Sequence, residues 1–251
     1  MKRRPLIAGN WKMHLNISQA KELAEQIRQS ALKAASCDVM LAPSFTLLPA
    51  LAEILENSNV ILAGQNVCWA ESGAFTGEIS PLMLKELGCE MVIVGHSERR
   101  HIFHEDDDMI NKRLLGAMAH NLTPILCIGE ILAAREAGKT FSVLEEQIRG
   151  GLQDVELANP QTLIIAYEPV WAIGTGKTAS AEQAQEVHIF VRSILADIFD
   201  KTIASQLRIL YGGSVKPDNI SSLMAQNDID GALVGGAALK IDSFDRLINF
   251  S

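Results

Sequence analysis

Several residues in this chain could do chemistry together. They are a carboxylate, Glu168, an imidazole, His96, and an ammonium, Lys12, close to the amide of Asn10. Two glycine pairs join them, Gly212-Gly213 followed by Ser214, and Gly235-Gly236. A carboxylate with an imidazole can move a proton as base and hydrogen-bond donor. Glycine pairs let backbone N–H groups close around a phosphate, because no Cβ stands in the way. Glu168 also has a distinctive setting. The run 163–166 (Leu-Ile-Ile-Ala) is too uniformly apolar for a half-exposed strand and suits a buried parallel one. Pro169 fixes the chain behind the glutamate. Val170, Trp171 and Ile173, followed by Gly174 and Gly176, then read as a hinged flap with an apolar underside. Taken alone, this stretch is equally an ordinary loop with a surface glutamate, and a glycine pair at a strand end is commonly just a tight turn.

What must position these residues is a repeating scaffold. Short apolar runs occur at 5–10, 37–42, 60–64, 91–95, 124–129, 163–166, 207–212 and 231–235, mostly ending in glycine or a polar residue. Helical patterns lie between most of them. Ala20, Leu23, Ala24, Ile27 and Ala31 share one face, and Ser180 with Gln183 forms a capping box ahead of Ala184, Val187, His188, Val191, Ile194, Leu195 and Ile198. His188, on that apolar stripe, reads as a packed core histidine. The spacing is roughly thirty residues per strand–helix unit, and eight such units match a (β/α)8 barrel. No Pro-, Ser- or charge-rich linker interrupts the series, so the expectation is α/β class with a single barrel domain over 1–251. A doubly wound sheet competes, but its glycine fingerprint after the first strand is absent.

In such a barrel the residues just after each strand converge on one face. That gathers Asn10, Trp11 and Lys12, then His96 to Arg99, Glu168, and the two glycine turns. Glycine turns after strands seven and eight are a frequent phosphate site. The expected ligand is therefore a small phosphorylated molecule. A carbonyl polarised by His96 and a C–H proton taken by Glu168 would form an enediolate, an isomerisation that needs no metal or organic cofactor.

Composition narrows the alternatives. The chain is 48% hydrophobic and 21% charged, with a net charge of -8. Its only basic cluster is Lys2-Arg3-Arg4, which argues against nucleic acid as a partner. No apolar run approaches membrane-spanning length, and no apolar segment follows the basic cluster as a signal sequence would require. Cys37, Cys68, Cys89 and Cys127 are scattered and read as free, mostly buried thiols of a reducing compartment, so the cytoplasm is the expected location.

At these residues the chain resembles the triosephosphate isomerase family. The matching segments are Gly9-Asn10-Trp11-Lys12, Gly95-His96-Ser97-Glu98-Arg99-Arg100, and the stretch from Ala166 through Glu168-Pro169-Val170-Trp171 to Lys177. Tyr211-Gly212-Gly213-Ser214-Val215 and Leu233-Val234-Gly235-Gly236-Ala237 complete the series, which covers the whole chain. The resemblance implies Glu168 as the base shuttling a proton between two carbons and His96 as the electrophile. It implies Lys12 and Asn10 as catalytic and substrate-binding residues, with Trp11 also in contact with substrate. The amides of Gly174, Ser214, Gly235 and Gly236 would hold the phosphate, and Glu98 would pair with Lys12. It further implies a homodimer in which the loop from Gln65 to Ile79 enters the neighbouring subunit, where Thr76 braces the site. Two departures from the family pattern stand out. His104 lies where glycine is usual and is expected to affect the helix start after strand four. Met13-His14-Leu15-Asn16 follows Lys12, with His14 expected to touch the dimer contact.

Two rival readings remain. His96, His101, His104 and Glu105 suggest a zinc-dependent aldolase on the same barrel, although their spacing fits no compact zinc motif and His101 and His104 read better as a solvated helix start. A catalytically silent phosphate-binding barrel would keep the glycine turns but would need neither Glu168 nor His96.

Overall fold

The computed structural model describes residues 3–34, 36–173 and 179–250. Eight parallel strands close into a barrel in chain order. They are β1 (Leu6–Asn10), β2 (Asp38–Ala42), β3 (Val60–Gly64), β4 (Met91–Val94), β5 (Thr123–Ile128), β6 (Ile164–Tyr167), β7 (Arg208–Tyr211) and β8 (Gly231–Val234). Closure is made by β8 returning to β1, from Leu6 opposite Gly231 to Gly9 opposite Val234. The helices are α1 (Ile17–Ala31), α2 (Leu48–Leu55), α3 (Pro81–Glu86), α4 (Ser97–His101), α5 (Asp107–Ala119), α6 (Leu132–Glu136), α7 (Thr140–Gly151), α8 (Ala181–Ile198), α9 (Lys201–Ala204), α10 (Ile220–Met224) and α11 (Ile241–Ile248).

Some strand bounds differ from the apolar runs by a residue or so. β6 begins at Ile164, not Leu163, and continues through Tyr167, because Tyr167 pairs with Ile128 on one side and Tyr211 on the other. Hydrogen bonding carries the ladder one step past the purely aliphatic stretch.

Strand alternation produces two cores. Leu6, Ala8, Ile93, Ile164, Ala166 and Leu210 point inward and fill the barrel. Ile7, Val92, Val94, Ile165, Tyr167 and Ile209 belong to the core between strands and helices. Apart from the partly exposed Asp38, Ile61 and Thr123, the strands are buried on both faces, which is why the runs read as continuous rather than alternating hydrophobicity. Burying each aliphatic side chain contributes about 1.5–3 kcal/mol, and the charges that share inward parity, Asp38 at the start of β2 and Arg208 at the start of β7, are paired with each other at 2.9 Å.

The helix signals act locally as their residue types require. In α1 the predicted face of Ala20, Leu23, Ala24, Ile27 and Ala31 is buried, and Asn16 with Gln19 forms a capping box. The Ser180–Gln183 box opens α8, whose His188 is buried as expected. All four cysteines are buried and unpaired. Among the described residues no helix is long and apolar enough to cross a membrane.

Candidate active site

Strand parity carries side chains to the mouth of the barrel. In β6 the inward positions are Ile164 and Ala166, and Glu168 is the next in step. In β1 they are Leu6 and Ala8, followed by Asn10. In β4 the inward set is Met91 and Ile93, so straight continuation would present Gly95 rather than His96. Gly95 breaks that parity with φ +70, and any Cβ there would press on Ile110 at 3.1 Å. The bend turns His96 toward the barrel mouth and makes it the N-cap of α4.

His96 and Glu168 form a buried pair, 5% and 2% exposed. His96 Nε2 lies 3.0 Å from Glu168 Oε1. The backbone N–H of Ser97 donates to Glu168 Oε2 at 2.9 Å. His96 Nδ1 accepts the backbone N–H of Glu98 at 3.2 Å. An Nδ1 that accepts must be unprotonated, so the ring carries its proton on Nε2, facing Glu168 and the cavity.

Burial acts to raise the Glu168 pKa, but the facing His96 and the Ser97 N–H outweigh it and hold the carboxyl below its ordinary range. Burial likewise lowers the imidazole while Glu168 draws it upward. That upward pull depends on the 3.0 Å contact. When Glu168 turns away from His96, burial and the backbone donor on Nδ1 favour the neutral ring.

Lys12 stands in the left-handed region with φ +50. Its N–H donates to Asn10 Oδ1 at 3.0 Å, and Gln65 Nε2 donates to its carbonyl at 2.8 Å. These bonds hold the strained backbone in place. Lys12 Nζ bonds Glu98 Oε1 at 2.6 Å, the pairing expected of Glu98.

Asn10, Lys12, His96, Glu168, Ser214, Gly235 and Gly236 line one cavity of about 410 Å³. Gly213, His14 and Lys216 also lie on its wall. A short 3-10 helix, Gly236–Leu239, starts from the second glycine pair. The Gly-Gly turns and the helix start present backbone donors where an anion can be held.

Several expected residues fall elsewhere. Trp11 is wholly buried in the outer core and is not on the cavity wall, since it follows Asn10 with the opposite parity. Thr76 is exposed on its loop and does not line the cavity. Gly174, with the rest of the lid at 174–178, lies outside the described residues. His101 ends α4 rather than starting a helix, because His96 has already capped that helix. His104 sits in the turn after α4 with φ +57, the conformation that explains glycine in the family pattern. The next helix starts independently, its N-cap Asp106 accepting from Met109 N–H. His14 is placed on the cavity wall.

The roles of two important residues were absent from the sequence reading. Glu130 is completely buried, and its Oε1 accepts from Tyr167 Oη at 3.2 Å, Trp171 Nε1 at 2.9 Å and Arg135 at 3.2 Å. Its carbonyl also accepts the Val170 N–H at 3.1 Å. The near end of the flap is thereby latched to the end of β5, and Arg135 covers the Trp171 ring at 4.7 Å. Gly129 lies against Glu168 so closely that a Cβ would come within 1.7 Å of the Glu168 carbonyl oxygen. The available signal was position: Gly129-Glu130 directly follows a strand, as Glu168 does.

Among the described residues no three His, Cys, Asp or Glu side chains gather as a metal-holding group. Glu105 is instead engaged by Arg99 and Arg113.

With this geometry in place, the chain can be set beside known proteins. The family model described as triosephosphate isomerase matches residues 5–251. The chain belongs to the triosephosphate isomerase family.

It is 51% identical over 249 residues to the triosephosphate isomerase of Citrifermentans bemidjiense, covering 99% of both chains. It is 50% identical over 248 residues to that of Thermoanaerobacter pseudethanolicus, covering 99% of this chain and all of the relative. The Geotalea uraniireducens enzyme is 50% identical over 249 residues, 99% of each chain. Membership in the triosephosphate isomerase family lends no support to either rival, the zinc aldolase or the silent barrel.

Proposed function

We propose that the chain interconverts dihydroxyacetone phosphate and D-glyceraldehyde 3-phosphate through an enediolate, as a cytoplasmic, cofactor-free, single-domain enzyme of glycolysis and gluconeogenesis. The observation that carries this reading is the 3.0 Å pairing of Glu168 with His96 in the same cavity as the two glycine turns. The amides of Ser214, Gly235 and Gly236, with Gly174 from the lid, bind the phosphate. Its carbonyl end then meets the Nε2–H of His96 and the ammonium of Lys12. Asn10 positions Lys12 and contributes to substrate binding, and Glu98 orients the lysine.

Glu168 removes a proton from the carbon beside the carbonyl. The electrons of that C–H bond become the C=C of the enediolate, while the carbonyl oxygen takes negative charge stabilised by His96 and Lys12. Glu168 then returns its proton to the neighbouring carbon, while the hydroxyl proton of the intermediate passes by way of His96 Nε2 to the former carbonyl oxygen, so that the carbonyl re-forms one carbon along. Both Glu168 oxygens are engaged, one by Ser97 N–H and the other by His96. Those bonds lower the basicity of Glu168, so loosening them as substrate enters would favour proton transfer, and lid closure over Pro169 to Ile173 would exclude water from the intermediate.

Homodimerisation through the loop from Gln65 to Ile79 is part of the same proposal. Thr76 would reach the partner subunit's Asn10 and His96. Exposed apolar residues support it: Met13 (92%), Phe75, Leu82, Met83, Ile102 and Phe103 (64%). Sedimentation of a dimer-sized species is the expected result.

The deciding experiment is incubation with dihydroxyacetone phosphate in deuterated water. Deuterium should enter at the carbon beside the carbonyl, and a complete lack of exchange would reject the isomerase.

A further inference from the structure

The charges around the cavity do not by themselves welcome an anion. Lys12 is the cation nearest the reacting end, but its Nζ is already paired with Glu98 at 2.6 Å. Glu168 adds an ionised carboxylate, and the whole chain carries -8. A phosphate monoester brings close to two negative charges at neutral pH. Backbone N–H groups supply directed partial charges at contact, but at longer range the local balance of Lys12, Glu98 and Glu168 is repulsive to the substrate.

Lys216 changes that balance. It lines the same cavity as Ser214, Gly235 and Gly236, is exposed, and its Nζ has no hydrogen-bond or ion-pair partner among the described residues. Its backbone is held in place: Lys216 N–H donates to Asn219 Oδ1 at 2.8 Å, and Asn219 Nδ2 donates to the Ser214 carbonyl at 3.0 Å. One asparagine thus ties the position of the lysine to that of the phosphate-side serine. Among the described residues lining this cavity, His14, at the wall beyond Lys12, is the remaining basic side chain apart from the catalytic His96.

We propose that Lys216 is a substrate-recruiting residue, an uncommitted cation that draws the phosphate dianion into the cavity and raises its affinity there. This rests on reading Ser214, Gly235 and Gly236 as the phosphate binders. Lys216 acts on the phosphate, remote from the proton transfer, so its effect belongs to kcat/KM and not to kcat.

The test compares Lys216→Gln and Lys216→Arg with the parent enzyme from low to high ionic strength. For the triose phosphate, Lys216→Gln should lower kcat/KM by roughly three- to tenfold at low salt and less than about twofold at high salt, with kcat nearly unchanged. Lys216→Arg should restore the parent value. Turnover of glyceraldehyde, which lacks the phosphate, should be unaffected. An unchanged kcat/KM and salt dependence in Lys216→Gln would overturn the proposal, as would an equal loss with glyceraldehyde, which would mark a merely structural role. Calorimetric binding of inorganic phosphate should weaken in parallel. That arm tests Lys216 even in a protein that shows no proton exchange, so failure of the isomerase reading and failure of this one are told apart.

Discussion

On one side of the cavity, Glu168 and His96 are 2% and 5% exposed, and every bond that orients them is made within the protein. On the other, Ser214 and Gly235 are partly exposed and Gly236 is open to solvent. A Cβ built on Gly236 would meet nothing within 4 Å. Under the proposed function, the two walls answer different physical needs. Proton transfer depends on sub-ångström placement and on a carboxylate whose basicity is set by its neighbours, which calls for a dry, fully bonded site. Anion binding needs donors that are still available to the ligand, so that wall presents main-chain groups and leaves space.

The comparison makes its strongest demand at Glu168. Glu168→Gln should lower turnover by about a thousandfold, since an amide cannot accept the proton. Inhibition by inorganic phosphate should shift by less than about threefold. A large parallel loss of phosphate affinity would show that the two walls are not separate.

Behind both walls lies His188, packed 6.0 Å from the Tyr167 ring and 6.5 Å from that of Tyr211. Its Nδ1 donates to the Asp228 carbonyl at 3.0 Å, and burial pushes its pKa down to about 4. The unfolded chain binds this proton near the ordinary value of about 6.5, so between these two values the unfolded state holds more protons than the folded one. Stability should therefore fall as pH drops from about 6.5 to about 4, by on the order of 3 kcal/mol from this group. Urea melts of the parent and His188→Leu across that range would measure it. An identical slope in both proteins would remove His188 as its source.

The phosphate wall has its own test. Gly236→Pro removes one N–H at the first position of a helical turn, where proline is tolerated. Losing one hydrogen bond to a charged group should raise KM for the triose phosphate about tenfold or more, with a smaller change in kcat. Gly236→Ala, which retains the N–H, should stay close to the parent. A normal KM in the proline variant would place the phosphate off this amide.

The smallest effect lies away from both walls. His104 holds φ +57, and His104→Gly should stabilise the fold by about 1 kcal/mol. A Tm rise of roughly 2–4 °C without a change in kcat/KM would match that expectation. Altered kinetics would show that this turn is coupled to His96 through α4.

The barrel was highly legible because its signal is local and repeated. The strands are buried on both faces along almost their whole length, and the caps at Asn16 and Ser180 are short-range hydrogen bonds. Glu168 and Asn10 were equally accessible, since inward parity runs unbroken through β6 and β1. His96 was found by type and position, although its direction depends on the Gly95 bend. Trp11 misled because adjacency in sequence to Asn10 and Lys12 hides its opposite parity. Glu130 escaped notice because its partners, Tyr167 and Trp171, come from a different strand and flap about forty residues later.

By itself, then, the sequence determined the strand–helix repeat, the candidates proposed as the proton-moving pair, and the glycine turns that can hold a phosphate. These follow from side-chain periodicity and backbone freedom within a few residues. Only the tertiary structure decided that Ser97 N–H restrains Glu168, that Glu130 latches the flap, and that Lys216 shares a wall with Ser214. Those relations join residues from separate units, and barrel closure, with its strand register, sets which of them come within reach.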